Sequence, residues 1–123
     1  MMTTLVVGAS ENPDRYSFKA AHMLKAYGFP FMLYGPRKGE VAGVPIQTEL
    51  PAKGSVHTLT LYVGPQHQKE LMPALLALAP QRVIFNPGTE NPDFEEALNK
   101  EGIDFEAACT LVLLQTGQYG IKP

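Results

Sequence analysis

Cysteine is nearly missing from this chain: one thiol, Cys109, stands among 123 residues. That excludes an internal disulfide framework and a zinc cluster of cysteines. An excess of positive charge is missing too. Ten Lys and Arg face twelve Asp and Glu, for a net charge of −2. Binding to nucleic acid without sequence preference needs a basic face, so that class is excluded. No apolar run is long enough to span a membrane. The start, Met1-Met2-Thr3-Thr4, lacks the basic n-region of a signal peptide. His22, His57 and His67 show no metal-ligand spacing, and no His-x-x-x-His occurs. A cytoplasmic protein follows as the expectation, with no nucleic-acid or membrane partner and no metal. The sequence leaves any protein partner unknown.

What is present fits one domain over residues 1–123. Hydrophobic content of 45% and charged content of 18% are ordinary for a globular chain. A chain of this size buries roughly two-thirds of its unfolded surface, so it folds without disulfides.

The most informative stretch is Val6-Val7-Gly8-Ala9-Ser10-Glu11-Asn12-Pro13-Asp14-Arg15-Tyr16-Ser17. The apolar run Leu5 to Val7 stops at a glycine, a polar turn follows, and a helical pattern begins near Ser17. A strand that feeds a helix through a glycine loop is a phosphate-binding arrangement. Glycine lets backbone approach the anion, and free N–H groups at the helix start supply positive potential. No Gly-Lys-Ser/Thr follows, so the loop is not a Walker A motif. Ser10 and Pro13 replace the later glycines of G-x-G-x-x-G. Ser10 does not complete G-x-S-x-G either, because Asn12 holds the last position. A nucleotide-containing ligand is the expectation.

Apolar runs alternate with helical patterns along the chain, which predicts α/β with a mainly parallel sheet. Strand one covers Thr4 to Gly8. Helix one covers about Ser17 to Tyr27, with Ala20, Ala21, Leu24 and Tyr27 on one face. Gly28 ends it. Strand two is Phe29 to Tyr34, closed by Gly35-Pro36. Arg37 to Ser55 reads as a long connection with a short extended piece at Val44 to Thr48; loops of that length are often functional. Strand three is His57 to Val63. Helix two runs from about Gln66 to Leu78, offset by Pro73, with Leu71, Leu75 and Leu78 as its buried stripe. Strand four is Arg82 to Phe85. Helix three starts with Asn91 as N-cap and Pro92 at the first helical position. Asp93, Glu95 and Glu96 sit beside the positive helix end, which explains them without catalysis. Strand five is Ile103 to Ala107, and a short apolar helix covers about Thr110 to Thr116.

Five strands fit a three-layer, Rossmann-like, doubly wound sheet of order 3-2-1-4-5, with the ligand expected at the switch between strands one and four. Four turns bearing glycine or proline converge there: Gly8 to Ser10, Gly35-Pro36-Arg37-Lys38, Gly64-Pro65, and Asn86 to Thr89. Arg37-Lys38 is the one adjacent basic pair in the chain. Arginine grips phosphate with parallel hydrogen bonds and lysine acts as a point charge. Arg15 is placed to reach phosphates from the other side of the first loop. Asn12, Tyr16 and Ser17, at the loop's end and the helix start, complete the candidate set. No general base, activated nucleophile or metal cluster is visible, so binding without catalysis is expected. Cys109 stays open between a small core residue and a thiol activated by a helix start.

These turns, in this order, resemble the small bacterial CoA-binding proteins of the succinyl-CoA synthetase α-subunit type. The matching pieces are Gly8 to Ser17, Gly39-Glu40-Val41-Ala42-Gly43-Val44-Pro45-Ile46, Leu61-Tyr62-Val63-Gly64-Pro65, Ile84-Phe85-Asn86-Pro87-Gly88-Thr89-Glu90-Asn91, and Ala108-Cys109-Thr110-Leu111. The resemblance implies a Rossmann-like domain that binds CoA or acyl-CoA as a carrier or regulatory module. It gives Gly8, Ala9 and Ser10 the diphosphate. It gives Arg37 and Lys38 the 3′-phosphate. It sets Val63, Gly64, Pro65, Asn86, Pro87 and Gly88 along the pantetheine arm. Many members carry arginine beside the cysteine and after strand three; this chain has Ala108 and Gly64-Pro65 there.

Two alternatives stand beside it. One is an NAD(P)-binding redox or sensor protein. Its ribose site asks for an acidic residue after strand two, where Arg37 and Lys38 stand, although Glu40 follows. The other is a protein-interaction module with a vestigial ligand site, its seam at Thr110 to Leu114.

Overall fold

A computed structural model describes residues 2–120. Seven strands and five helices follow one another: β1 (Thr4–Val7), α1 (Tyr16–Ala26), β2 (Phe31–Tyr34), β3 (Gly39–Val41), β4 (Val44–Gln47), β5 (Thr58–Leu61), α2 (Pro65–Gln68), α3 (Met72–Ala77), β6 (Arg82–Phe85), α4 (Pro92–Lys100), β7 (Asp104–Ala107) and α5 (Thr110–Gln115). They form one sheet of order β3-β4-β2-β1-β5-β6-β7. Only the β3–β4 pair is antiparallel.

The expected five strands are present, but their order is corrected. The third expected strand, β5, lies against β1, with Val7 opposite Leu61. It does not lie outside β2. That place is taken by the β3–β4 hairpin, which falls in the segment read as a long connection. Leu33 pairs with Ile46 and Tyr34 with Gln47 in parallel register. With β2's outer edge occupied, the next strand takes the other side of β1. The five expected strands therefore run 2-1-3-4-5, a common order of doubly wound sheets.

The hairpin turns on two residues, Ala42 (φ 55) and Gly43 (φ 80). Positive φ at both positions is the turn whose twist suits a two-residue hairpin. Alanine is strained there. The Lys25 ammonium, in the last turn of α1, donates to the Ala42 carbonyl at 2.9 Å and holds the turn against the helix. Pro45 lies in β4 opposite Glu40 of the outermost strand, a position that tolerates a missing N–H.

Alternate residues of the central strands feed two cores, as the period of two requires. Leu5, Val7, Leu59, Leu61, Val83 and Phe85 pack with Leu75, Phe94 and Leu98 of α3 and α4. Val6, Leu33, Ile46 and Ile84 face the other way, against Ala21 and Leu24 of α1, Leu114 of α5, and Tyr119. Tyr27, expected on the buried stripe of α1, is 51% exposed, because α1 ends at Ala26 and the chain turns away. The α5 segment is a cover for the sheet: Thr110 and Leu114 are buried, while Val112 faces out. The offset expected at Pro73 appears as a full break between α2 and α3. Asn91 caps α4 as expected, accepting from the N–H groups of Asp93 and Phe94 at 3.2 and 3.4 Å. No helix of the described residues is long and apolar enough to cross a membrane.

Candidate functional site

The chain leaves β1 toward β2 on one side and returns at β5 on the other. Loops at the carboxyl ends of β1 and β5 therefore diverge and leave a crevice between them. The switch point expected between strands one and four lies instead between β1 and β5.

The loop after β1 is shaped by close contacts. Gly8 has φ 97, and a Cβ there would lie 3.0 Å from Val63 Cγ2 and 3.2 Å from the Tyr62 backbone. Only glycine fits. The N–H groups of Gly8 and Ala9 both donate to the Tyr34 carbonyl at 2.9 Å. Their part is to set the loop's path, since these two donors are spent. Beyond them Ser10 Oγ accepts from the Asn12 N–H at 3.1 Å, and Asn12 Oδ1 accepts from the Asp14 N–H at 3.0 Å. These side chains fold the loop into short turns that deliver the chain to α1. Arg15 is the N-cap of α1, and no side chain caps that end. The N–H groups of Tyr16 and Ser17 thus have no helical acceptor. Ser17 is buried, and Arg15 and Tyr16 are exposed.

The turn after β2 presses on the same loop. A Cβ on Gly35 would stand 2.5 Å from the Ala9 carbonyl oxygen, and Gly35 N–H donates to Gln47 at 3.0 Å. Pro36, Arg37 and Lys38 follow, all exposed. Glu11 Oε2 accepts from the Glu40 N–H at 3.0 Å and ties the first loop to the hairpin. The single ion pair within 4 Å among the described residues joins Lys100 to Glu96, at 3.6 Å. Arg37 and Lys38 therefore have no carboxylate partner within 4 Å among the described residues.

The loops after β5 and β6 are braced by buried amides. Gln68 is fully buried, and its Nε2 donates to the Val63 and Thr89 carbonyls, each at 2.7 Å. Its Oε1 accepts from Asn91 Nδ2 at 3.0 Å. Asn86 Nδ2 donates to Thr60 Oγ1 at 2.7 Å and to the Leu61 carbonyl at 2.8 Å, and its Oδ1 accepts from the Thr110 N–H at 2.9 Å. Both N–H donors of the Asn86 amide are spent on β5, and its oxygen takes the first N–H of α5. The amide sets where Pro87 and Gly88 stand. Gly64 N-caps α2, and Pro65 opens it.

Tyr16, Tyr62, Asn86, Pro87, Cys109 and Leu111 line a cleft of about 210 Å³ at this edge. Cys109, weighed as a core residue, is half-buried and stands at the N-cap of α5. The Tyr62 hydroxyl is buried and makes no hydrogen bond. Thr60 and Thr110 lie near it but bond each other at 2.7 Å. Burial pushes the Tyr62 hydroxyl up from 10.0 to about 12.

The structure brings the four expected turns to one edge. Arg15 and Tyr16 lie at the β1 side, Arg37 and Lys38 beside β2, and Val63 to Pro65 and Asn86 to Gly88 beside β5 and β6. Sequence reasoning left Tyr62 and Leu111 without a role, although both lie in quoted motifs. It left Gln68 as an ordinary helix residue. A glutamine in a helix's first turn carries no signal of burial by itself.

A mainly parallel sheet, with glycine and proline turns gathered over one edge, defines a doubly wound α/β fold. A CoA-binding domain model matches residues 2–115, and the chain belongs to that family. No curated protein matches it. A crystal structure of an uncharacterised protein is similar at 46% identity over 96% of this chain and 98% of that one, with a TM-score of 0.91. A Thermus thermophilus protein shares 27% identity over 95% and 90% of the two chains, with a TM-score of 0.85. A conserved hypothetical protein from Pyrococcus furiosus shares the fold, with 23% identity, 91% and 99% coverage and a TM-score of 0.76.

Proposed function

We propose that the chain binds CoA or acyl-CoA at the carboxyl edge of its sheet, as a carrier or regulatory module without catalysis. The carrying observation is the exposed, unpartnered pair Arg37 and Lys38, held beside a loop that leads into an uncapped helix start. CoA carries two separate phosphate groups, and the edge offers two separate kinds of partner. The diphosphate suits the N–H groups of Tyr16 and Ser17, with Ser10, Asn12 and Arg15 around it, on a path set by Gly8 and Ala9. The 3′-phosphate suits Arg37 and Lys38, presented by Gly35 and Pro36. Val63, Gly64, Pro65, Pro87 and Gly88 border the pantetheine arm, on the frame that Asn86 holds. The membership of the CoA-binding domain family supports the same ligand class.

Calorimetric titration of the folded protein with CoA, and separately with NADPH, tests this reading. Saturable CoA binding with no response to NADPH is expected. NADPH binding without CoA binding would move the protein to the dinucleotide class, and silence for both at millimolar concentration would refute a working ligand site.

A further inference from the structure

The turn that carries Arg37 and Lys38 is pinned to the first loop at both of its ends. At one end Gly35 lies against the Ala9 carbonyl. At the other end Gly39 lies against a side chain, the Glu11 carboxyl: a Cβ there would stand 2.7 Å from Oε1 and 2.8 Å from Cγ. The φ of Gly39 is not positive, so no backbone conformation calls for glycine at this position. The close approach of the carboxyl does. Glu11 Oε2 then accepts from the Glu40 N–H at 3.0 Å, in the middle of β3. Between the two pins stand Pro36, Arg37 and Lys38, all exposed. Glu11 lies beside two unpaired cations, yet no ion pair within 4 Å joins it to either of them among the described residues. A carboxylate near a phosphate site opposes the phosphate, so charge gives it no part in binding. Held on the Glu40 N–H, the same carboxylate fixes the distance from the first loop to the cations.

We propose that Glu11 is a positioning residue for the 3′-phosphate: its carboxylate latches the Arg37-Lys38 turn to the first loop, at the spacing that the two phosphate groups of CoA require. The proposal rests on the CoA reading above and adds the residue that sets the spacing of its two subsites. Unlatched, the turn keeps both cations but must be ordered by the ligand. That ordering is subtracted from what the 3′-phosphate contributes to affinity.

Calorimetric titration of CoA and 3′-dephospho-CoA into the full chain and into Glu11→Ala, Glu11→Gln and Gly39→Ala tests this. Wild type should prefer CoA by about tenfold. Glu11→Ala should cut that preference to about threefold, with dephospho-CoA binding unchanged. Gly39→Ala pushes the carboxyl away from Glu40 while leaving Glu11, Arg37 and Lys38 in the chain, and it should cut the preference as far. The double variant should lose no more than either single one, since both break the same contact. Glu11→Gln keeps an acceptor oxygen and should retain at least the wild-type preference. Each variant should melt within about 2 °C of wild type, because the contact is exposed. A preference that survives in Glu11→Ala would overturn the latch and leave the CoA reading standing. Tighter CoA binding in Glu11→Ala and Glu11→Gln alike would reduce Glu11 to a repelling charge and overturn the latch too. Equal binding of the two ligands by wild type would overturn the 3′-phosphate subsite and the latch with it. Failure of both ligands to bind would overturn the CoA reading as well.

Discussion

At the amino ends of the strands Arg82 is 4% exposed; its Nε donates to Thr58 Oγ1 at 3.1 Å and its guanidinium donates to the Tyr119 carbonyl at 2.9 Å. The same guanidinium lies 4.7 Å from the centre of the Tyr119 ring, whose hydroxyl bonds Thr4. At the carboxyl ends Arg37 and Lys38 lie exposed, with no carboxylate partner within 4 Å among the described residues. One edge spends its cation on closing the fold, and the other leaves its cations exposed. A buried cation must be hydrogen-bonded, and Arg82 is. An exposed cation needs no partner to be stable, so Arg37 and Lys38 cost the fold little.

Breaking the closed edge is expected to have the largest effect. Tyr119→Ala removes a ring packed edge-on at 5.0 Å against Phe29 and uncovers Arg82, at a cost of about 4 kcal/mol in a denaturant melt. A loss under about 1 kcal/mol would mean that the C-terminal turn is not part of the core.

Asn86→Asp tests the brace of the open edge. The carboxylate would face Thr60 Oγ1 and the Leu61 carbonyl where an NH₂ group donates now. About 3 kcal/mol of stability should be lost. Ligand affinity should fall with it, because Pro87, Gly88 and the start of α5 lose their common anchor. Calorimetry together with a urea melt separates the two effects.

High pH should weaken the fold by a smaller amount. Burial raises the Tyr62 hydroxyl from 10.0 to about 12, and burial raises Tyr119 as well. Above pH 10 the unfolded chain releases these protons while the folded chain keeps them. Stability is therefore full below pH 10 and declines as pH rises toward 12, by at most about 2–3 kcal/mol for Tyr62. Urea midpoints between pH 8 and 11.5 should show the decline, and Tyr62→Phe should reduce its slope.

The smallest effect on stability belongs to the open edge's cations. Arg37→Ala/Lys38→Ala should move Tm by no more than about 2 °C.

The contrast between the edges also explains what the sequence made legible. Every expected strand is present, and every expected helix too, the second as two pieces, because long apolar runs and the Asn91-Pro92 start are local signals. Strand order is not local. It turned on the hairpin at residues 39–47, whose Ala42-Gly43 turn lacks the usual Asn-Gly or Asp-Gly signature and depends on Lys25 of α1. The open edge was readable for a related reason: glycine, proline and paired basic residues after strands mark themselves in the sequence. The closed edge was not. Arg82 reads as an ordinary strand-start cation until Tyr119 returns under it from 37 residues further along. Tyr62 and Leu111 became visible as cleft walls only once β5 lay beside β1.

The most direct test of the central claim is a double comparison: CoA and 3′-dephospho-CoA titrated into wild type and into Arg37→Ala/Lys38→Ala. The free cations should make wild type prefer CoA by about tenfold or more at low salt, and the variant should lose that preference while still binding dephospho-CoA as wild type does. Equal affinity of wild type for the two ligands, or a preference that survives in the variant, would contradict the account of this edge.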